Sequence, residues 1–242
     1  MSPAPVGLLR SAPQLDAALH RFVDEHGMVD YAAVQADGTI EASARELEHF
    51  DLSALENRAE KLAFWINAYN SLVLAGVLAA LKRDPQTTSV AAGGWLGVVR
   101  FFYLKRYSVG GKQLSLATIE NRILRKELRE PRVHFALVCA ATSCPPLKQG
   151  LYAAERIEAE LDSAARLFIL SPIGVLVEPE THTLWLSRIF KWYHGDFERA
   201  AGSVLSYVTP YLSVGDQAYL ERHRPQVRLR YFGYDWRLNR RS

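Results

Sequence analysis

The sequence predicts an α+β fold in which a helical N-terminal part packs on a mainly antiparallel sheet. Three observations predict it. Apolar residues recur at helical spacing through roughly the first eighty residues, strand-like runs are confined to the middle and end, and those runs are joined by tight-turn residues. With 49% hydrophobic, 11% aromatic and 23% charged residues among 242, the chain can build one continuous core, so a single domain over 1–242 is expected. No repeat, low-complexity tract or Ser/Gly linker divides it.

Leu15, Leu19, Phe22 and Val23 recur with the spacing of a first helix that Gly27 stops, and a weaker helical pattern follows Gly38. Ala59 to Arg83 is apolar on almost every side, which marks a buried helix. Its stretch between Lys61 and Lys82 is long enough to span a membrane. Asn67, Asn70 and Ser71 stand mid-span, however, and favour a core helix with no membrane. Thr87 to Gly97, with Gly93-Gly94, reads as a surface loop. Gly110-Gly111 between two short alternating runs, Tyr107 to Leu116, predicts a tight hairpin because both central residues can take positive φ. Helices are predicted over Leu116 to Arg129, Ala153 to Phe168 and Phe197 to Tyr211, the last with Asp196 as N-cap. Arg132 to Cys139 reads as a buried strand followed by an irregular loop, and Ile173 to Ile189 as a second hairpin with Glu178 to His182 as its loop.

Met1 to Arg10 has neither the charged lead nor the apolar run of a secretory signal. Two cysteines, Cys139 and Cys144, are too few for a disulfide framework, so free thiols in a cytoplasmic protein are expected, with a single disulfide between them left open. Net charge is +3, and from Arg222 onward seven arginines stand against one aspartate. Arg228 and Arg230 interleave with Tyr231, Phe232, Tyr234 and Trp236, a pattern that nucleic-acid surfaces share. A single strand makes no groove, so arginines facing solvent over inward aromatics is the preferred reading and nucleic acid is disfavoured.

Chemistry-bearing residue types gather in a few places. Glu60, Asn67, Asn70 and Ser71 share one face of the otherwise greasy helix. Buried amides need partners, so Asn67 and Asn70 either pin a loop or wall a binding site. His134 lies on the predicted strand and Cys144 in the loop behind it. Period two points His134 and Cys139 to opposite faces, and about 17 Å of extended strand separates them. A His134/Cys144 nucleophile pair therefore requires the loop to fold back along the strand. The spacing of His134, Cys139 and Cys144 is not that of a zinc knuckle, so no metal is expected. Glu120 sits on an apolar helix face, where it can orient His134, act as general acid or base, or form an ion pair. Ser187 to Phe197 gathers four aromatics with Lys191 and Asp196, the charged candidates for binding substrate at a strand-to-helix corner.

These blocks, Leu62-Ala-Phe-Trp-Ile-Asn-Ala-Tyr-Asn70, Ile119-Glu120 with Ile123-Leu-Arg125, Pro131 to Cys139, Ser143-Cys-Pro-Pro-Leu147, and Phe190-Lys-Trp-Tyr193 with Asp196-Phe197, resemble the hallmark motifs of the family named domain of unknown function 547. Val29-Asp-Tyr31 and Tyr234 to Asn239 fit its bacterial members, so the resemblance spans about residues 15–239. It implies no established reaction. Some eukaryotic members carry the domain beside glutaredoxin-like or signalling modules, which implies thiol chemistry or a scaffold role. Many bacterial relatives are exported, and this chain departs from them in lacking a signal. A helix bearing a polar residue followed by a strand bearing His is also similar to the papain and transglutaminase order, with Asn67 where the nucleophilic Cys would stand.

The expectation is a polar pocket walled by Asn67, Asn70, His134 and Glu120, in which Cys144 attacks a small molecule or peptide in a transferase or hydrolase reaction. The alternative is a noncatalytic binding or scaffold domain. No cofactor is implied, because no Gly-rich phosphate loop stands at a strand-to-helix junction.

Overall fold

A computed structural model describes residues 9–241. Met1 to Leu8, on which most of the no-leader reading rests, lie outside the described residues. The chain opens with α1 (Ala12–Phe22), α2 (Tyr31–Asp37), α3 (Thr39–Glu46) and α4 (Arg58–Arg83). A short α5 (Trp95–Val98) widens into a π-helical stretch, Val99–Leu104. The hairpin β1 (Tyr107–Val109) and β2 (Lys112–Leu114) turns at Gly110-Gly111, both at positive φ, as the sequence predicts. Next, α6 (Leu116–Thr118) passes into a second π-helical stretch, Ile119–Glu127. The remainder holds α7 (Ile157–Ile169), β3 (Val175–Glu178), β4 (Thr183–Leu186), α8 (Arg188–Trp192), α9 (His194–Ala201), α10 (Val204–Val208), α11 (Val214–His223) and β5 (Arg228–Tyr231).

The class is α+β, with small sheets. β1 and β2 form one antiparallel pair; β4 pairs antiparallel with β3 and parallel with β5. Helices pack mainly on helices and irregular segments, so the broad sheet expected beneath the N-terminal part is absent among the described residues.

The helix α4 starts at a reciprocal cap: Asn57 accepts from the Glu60 N–H while Glu60 reaches back to the Asn57 N–H. Lys82 and Arg83 in its last turn complement the negative end of the helix dipole. It is long and apolar enough to cross a membrane, but 83% of its most apolar window is buried inside the protein. It anchors the first of two buried clusters, with Leu15, Leu47, Val109, Ile119, Val133 and Leu161 among its partners. The second cluster is aromatic: Phe135, Phe168, Phe190 and Phe197 pack with Leu184 and Leu186 of the three-stranded sheet.

Four local expectations are corrected. Arg132 to Cys139 is not a strand: Pro131–Phe135 forms a 3-10 turn, opened by Pro131 and by the Glu130 carboxylate, which accepts the Arg132 N–H at 3.1 Å. The strand that a papain-like order places under His134 is therefore this turn. The predicted helix over Phe197 to Tyr211 starts earlier and breaks at Gly202, whose φ of 79° ends α9. Asp196 lies inside the first turn of α9 and not at its cap. Gly27 stands beyond the end of α1, at φ 74°, and a Cβ there would meet Pro146 and Leu147 at 2.5 to 2.6 Å. Its close approach supports the loop that carries Cys144.

Candidate functional site

A cleft of about 440 Å³ opens where the two buried clusters meet. Tyr69 reaches it from α4, Glu120 from the second π-helical stretch, His134 from the 3-10 turn, and Cys139 and Cys144 from the following loop. Tyr193, between α8 and α9, and Trp236 close the opposite side. Three exposed aromatics, Trp95, Tyr103 and Trp192, line its mouth.

The chain reaches this arrangement because side chains replace the backbone pairing that a strand would have supplied. The Asn70 carboxamide donates to the Ala136 carbonyl at 2.9 Å and accepts the Val138 N–H at 3.1 Å, so it acts as a one-residue strand partner. Asn67 does the same for Tyr152, donating to its carbonyl at 2.8 Å and accepting its N–H at 2.9 Å. Neither amide lines the cleft. The loop after Val138 is stitched to the C-terminal segment: Thr142 and Ser143 N–H groups donate to the Arg237 and Asp235 carbonyls at 2.8 and 3.2 Å.

His134 is buried, and its Nε2 lies 2.8 Å from Asp196 Oδ2. Burial pushes the imidazole pKa down, while bonds from His134, Arg125 and Arg199 hold the Asp196 carboxyl well below its usual range against the opposing effect of burial. An ionised Asp196 can only accept, so the proton of a neutral His134 sits on Nε2. Among the described residues Nδ1 has no hydrogen-bond partner, which leaves its lone pair for the cleft. Tyr193 stacks on the imidazole at 3.8 Å between centroids, and the Arg125 guanidinium lies 4.8 Å from the Tyr193 ring.

Glu120 accepts from the Tyr69 hydroxyl at 3.3 Å and faces the hydroxyl of Tyr193. Burial, reinforced by the Glu120 charge, raises both phenols far above their ordinary value and keeps them as donors. The ion pair allowed for Glu120 is absent among the described residues, although Arg125 is close enough to feel its charge.

The two cysteines are free. The Cys139 N–H donates to Cys144 Sγ at 2.9 Å, and the Tyr234 hydroxyl lies 3.1 Å from Cys139 Sγ. Hydrogen bonds from the Cys144 thiol, the Tyr234 hydroxyl and the Ala141 N–H lower the Cys139 pKa, against burial; burial raises that of Cys144. No hydrogen bond joins His134 to either sulfur among the described residues.

Of the residues singled out from sequence, His134, Glu120 and Cys144 line the one cleft. Asp196 stands behind His134, Lys191 points to the Tyr231 ring 5.6 Å away, and Asn67 and Asn70 brace the loops. The cleft also gathers Tyr69, Arg125, Tyr193 and Cys139, the last weighed from sequence only beside His134 and as a metal ligand, and Tyr234 bonds to Cys139 from behind it. Cys139 was hidden by the assumed period of two, which no longer applies once the segment is a turn.

No curated protein and no solved structure matches the chain. The family model described as "Protein of unknown function, DUF547" matches residues 52–169. That span is shorter than the 15–239 of the sequence resemblance and includes Tyr69, Glu120, His134 and both cysteines, whereas Tyr193, which lines the cleft, and Asp196 and Tyr234, which bond to His134 and Cys139 from behind it, lie outside it. Over residues 52–169, then, the chain is similar to DUF547, a family whose function its own description leaves unknown.

Proposed function

We propose that the cleft performs thiol-dependent transfer or hydrolysis on a small molecule or peptide. One observation carries this reading: two free thiols, an Asp-held neutral imidazole and a carboxylate bonded by tyrosine hydroxyls open on one cavity of about 440 Å³, the size of a small-molecule site. Cys139 is the nucleophile in this reading, in place of the Cys144 that sequence alone favours, because its Sγ lies 3.1 Å from the Tyr234 hydroxyl, which can donate to a thiolate there. The Cys139 thiolate attacks an acyl carbon: the C–S bond forms, the bond from that carbon to its alcohol or amine group breaks, and the group leaves with the proton the thiol gave up, so that a thioester remains. His134 Nδ1, which shares no hydrogen bond with the sulfurs among the described residues, accepts the proton of the water or second substrate that discharges it, and the ionised Asp196 stabilises the imidazolium. Glu120 and its two tyrosines position the substrate's polar groups.

The test is reaction with p-nitrophenyl acetate. A stoichiometric burst that leaves acetyl on Cys139, slow turnover in His134→Ala and no burst in Cys139→Ser are expected. If the folded protein acylates neither thiol, the reading fails. A second reading, ligand binding without chemistry, is favoured by the aromatic mouth, where Trp95 is 70% and Trp192 43% exposed. It predicts that a fluorescent ligand of the cleft binds equally well to Cys139→Ser and to wild type.

A further inference from the structure

The proposed transfer chemistry uses one sulfur and leaves its neighbour without a task. Cys139 and Cys144, five residues apart, both line the inner wall of the cleft, where the backbone N–H of Cys139 donates to Cys144 Sγ at 2.9 Å. The fold holds them together by other means than a covalent bond. Ala140, between them, has φ 58°, a left-handed conformation that alanine rarely adopts and that persists where the surroundings over-determine it. Those surroundings are on hand: the Asn239 N–H donates to the Ala140 carbonyl at 3.2 Å, the Asp235 N–H to Ser143 Oγ at 2.9 Å, and Ala141 bridges to Leu238. A turn fixed from outside can form and lose an S–S bond without unfolding. The Tyr234 hydroxyl, 3.1 Å from Cys139 Sγ, is a group that can exchange a proton with whatever reacts at that sulfur.

We propose that Cys139 and Cys144 are a reversible dithiol/disulfide couple that reduces hydroperoxides admitted by the cleft, an activity that rests on the same reactive Cys139 as the transfer reading. The Cys139 thiolate attacks the terminal oxygen of the hydroperoxide. An S–O bond forms and the O–O bond breaks; the sulfur loses two electrons, and the peroxide gains them and leaves as alcohol or water. The proton on that leaving oxygen comes from Tyr234, which regains the one released when the thiol ionised. Cys144 Sγ then attacks the sulfenic sulfur, forming S–S and releasing water with the Cys144 proton. A dithiol reductant restores both thiols through a mixed disulfide.

The experiment treats the full chain with hydrogen peroxide and, separately, cumene hydroperoxide, then follows free thiols and intact mass, with dimedone present to trap sulfenic acid. Wild type is expected to lose both thiols together with a mass loss of two hydrogens, on the order of tenfold faster than the urea-unfolded chain, and to recover fully with dithiothreitol. Cys144→Ser is expected to give dimedone adduct on Cys139, and Cys139→Ser to resist oxidation. Thiol loss no faster than in urea, or equal dimedone trapping in the two variants, overturns the couple. Ester acylation at Cys139 separates the two failures. If acylation persists while no disulfide forms, only the redox inference falls; if both are lost, Cys139 is not reactive. Should Cys139→Ser not fold, the wild-type mass and the Cys144→Ser adduct still decide.

Discussion

The two buried clusters are held together by different means. Around α4, irregular segments are tied down by single polar side chains: Asn67 pairs with Tyr152, Asn70 with Ala136 and Val138, and Asn239 with Tyr31 and the Gly27 carbonyl. In the second cluster the backbone of β3, β4 and β5 pairs with itself, and stacked aromatics such as Phe135 with Phe197 fill the space. The first arrangement leaves loops that can carry reactive groups in fixed positions; the second supplies a rigid wall. The segment Val133 to Ala136 belongs to both, since Val133 and Ala136 pack in one cluster and Phe135 in the other. His134, between them, is where the cleft forms.

The largest way to break this contrast is Phe135→Ala. The ring is almost fully buried among Phe168, Phe190, Phe197 and Tyr207, and its loss should cost about 3–5 kcal/mol in urea unfolding. Asn70→Ala comes next. It strands one buried carbonyl and one buried N–H at about 1–3 kcal/mol each. Unlike Phe135→Ala, it should also move the apparent pKa of Cys139 labelling by iodoacetamide up towards that of a free thiol, because the loop that holds its hydrogen-bond partners loses its anchor.

Acid sharpens the role of the seam. The folded pKa values of His134 and Asp196 both lie below their ordinary values of 6.5 and 3.8, so the unfolded chain binds protons first. Stability should therefore be fully present at neutral pH, begin to fall as pH drops through the ordinary range of His134, and fall further below that of Asp196. Asp196→Asn should flatten the lower limb in melts recorded from pH 7 to pH 3. The smallest effect belongs to the surface. Lys82→Ala, which removes the 2.8 Å pair with Glu41, should shift unfolding by about 0.2–1 kcal/mol and less in high salt.

Elements whose cause is local were legible from sequence. Gly110-Gly111 marked its hairpin, Glu178 to His182 marked the turn between β3 and β4, and the all-round apolar pattern marked α4. The false strand over Arg132 to Cys139 has a physical cause: a run buried on every side has no period to read, and the partner that satisfies it is a carboxamide 66 residues away. The site divides the same way. His134, Glu120 and Cys144 stood out as polar or reactive types in apolar settings, and they share the cleft. What holds them was not legible, because Asp196 lies 62 residues from His134 and Tyr234 lies 95 from Cys139.

The central claim is that the fold at this seam makes Cys139 a reactive thiol. The pH dependence of iodoacetamide labelling in the native protein, resolved by residue with Cys139→Ala and Cys144→Ala, tests it most directly. The account predicts fast labelling of Cys139 with an apparent pKa below the ~8.5 of a free thiol, and loss of that reactivity in Cys139→Ala but not in Cys144→Ala. Labelling of both thiols only after denaturation would contradict it and leave the cleft as a binding site.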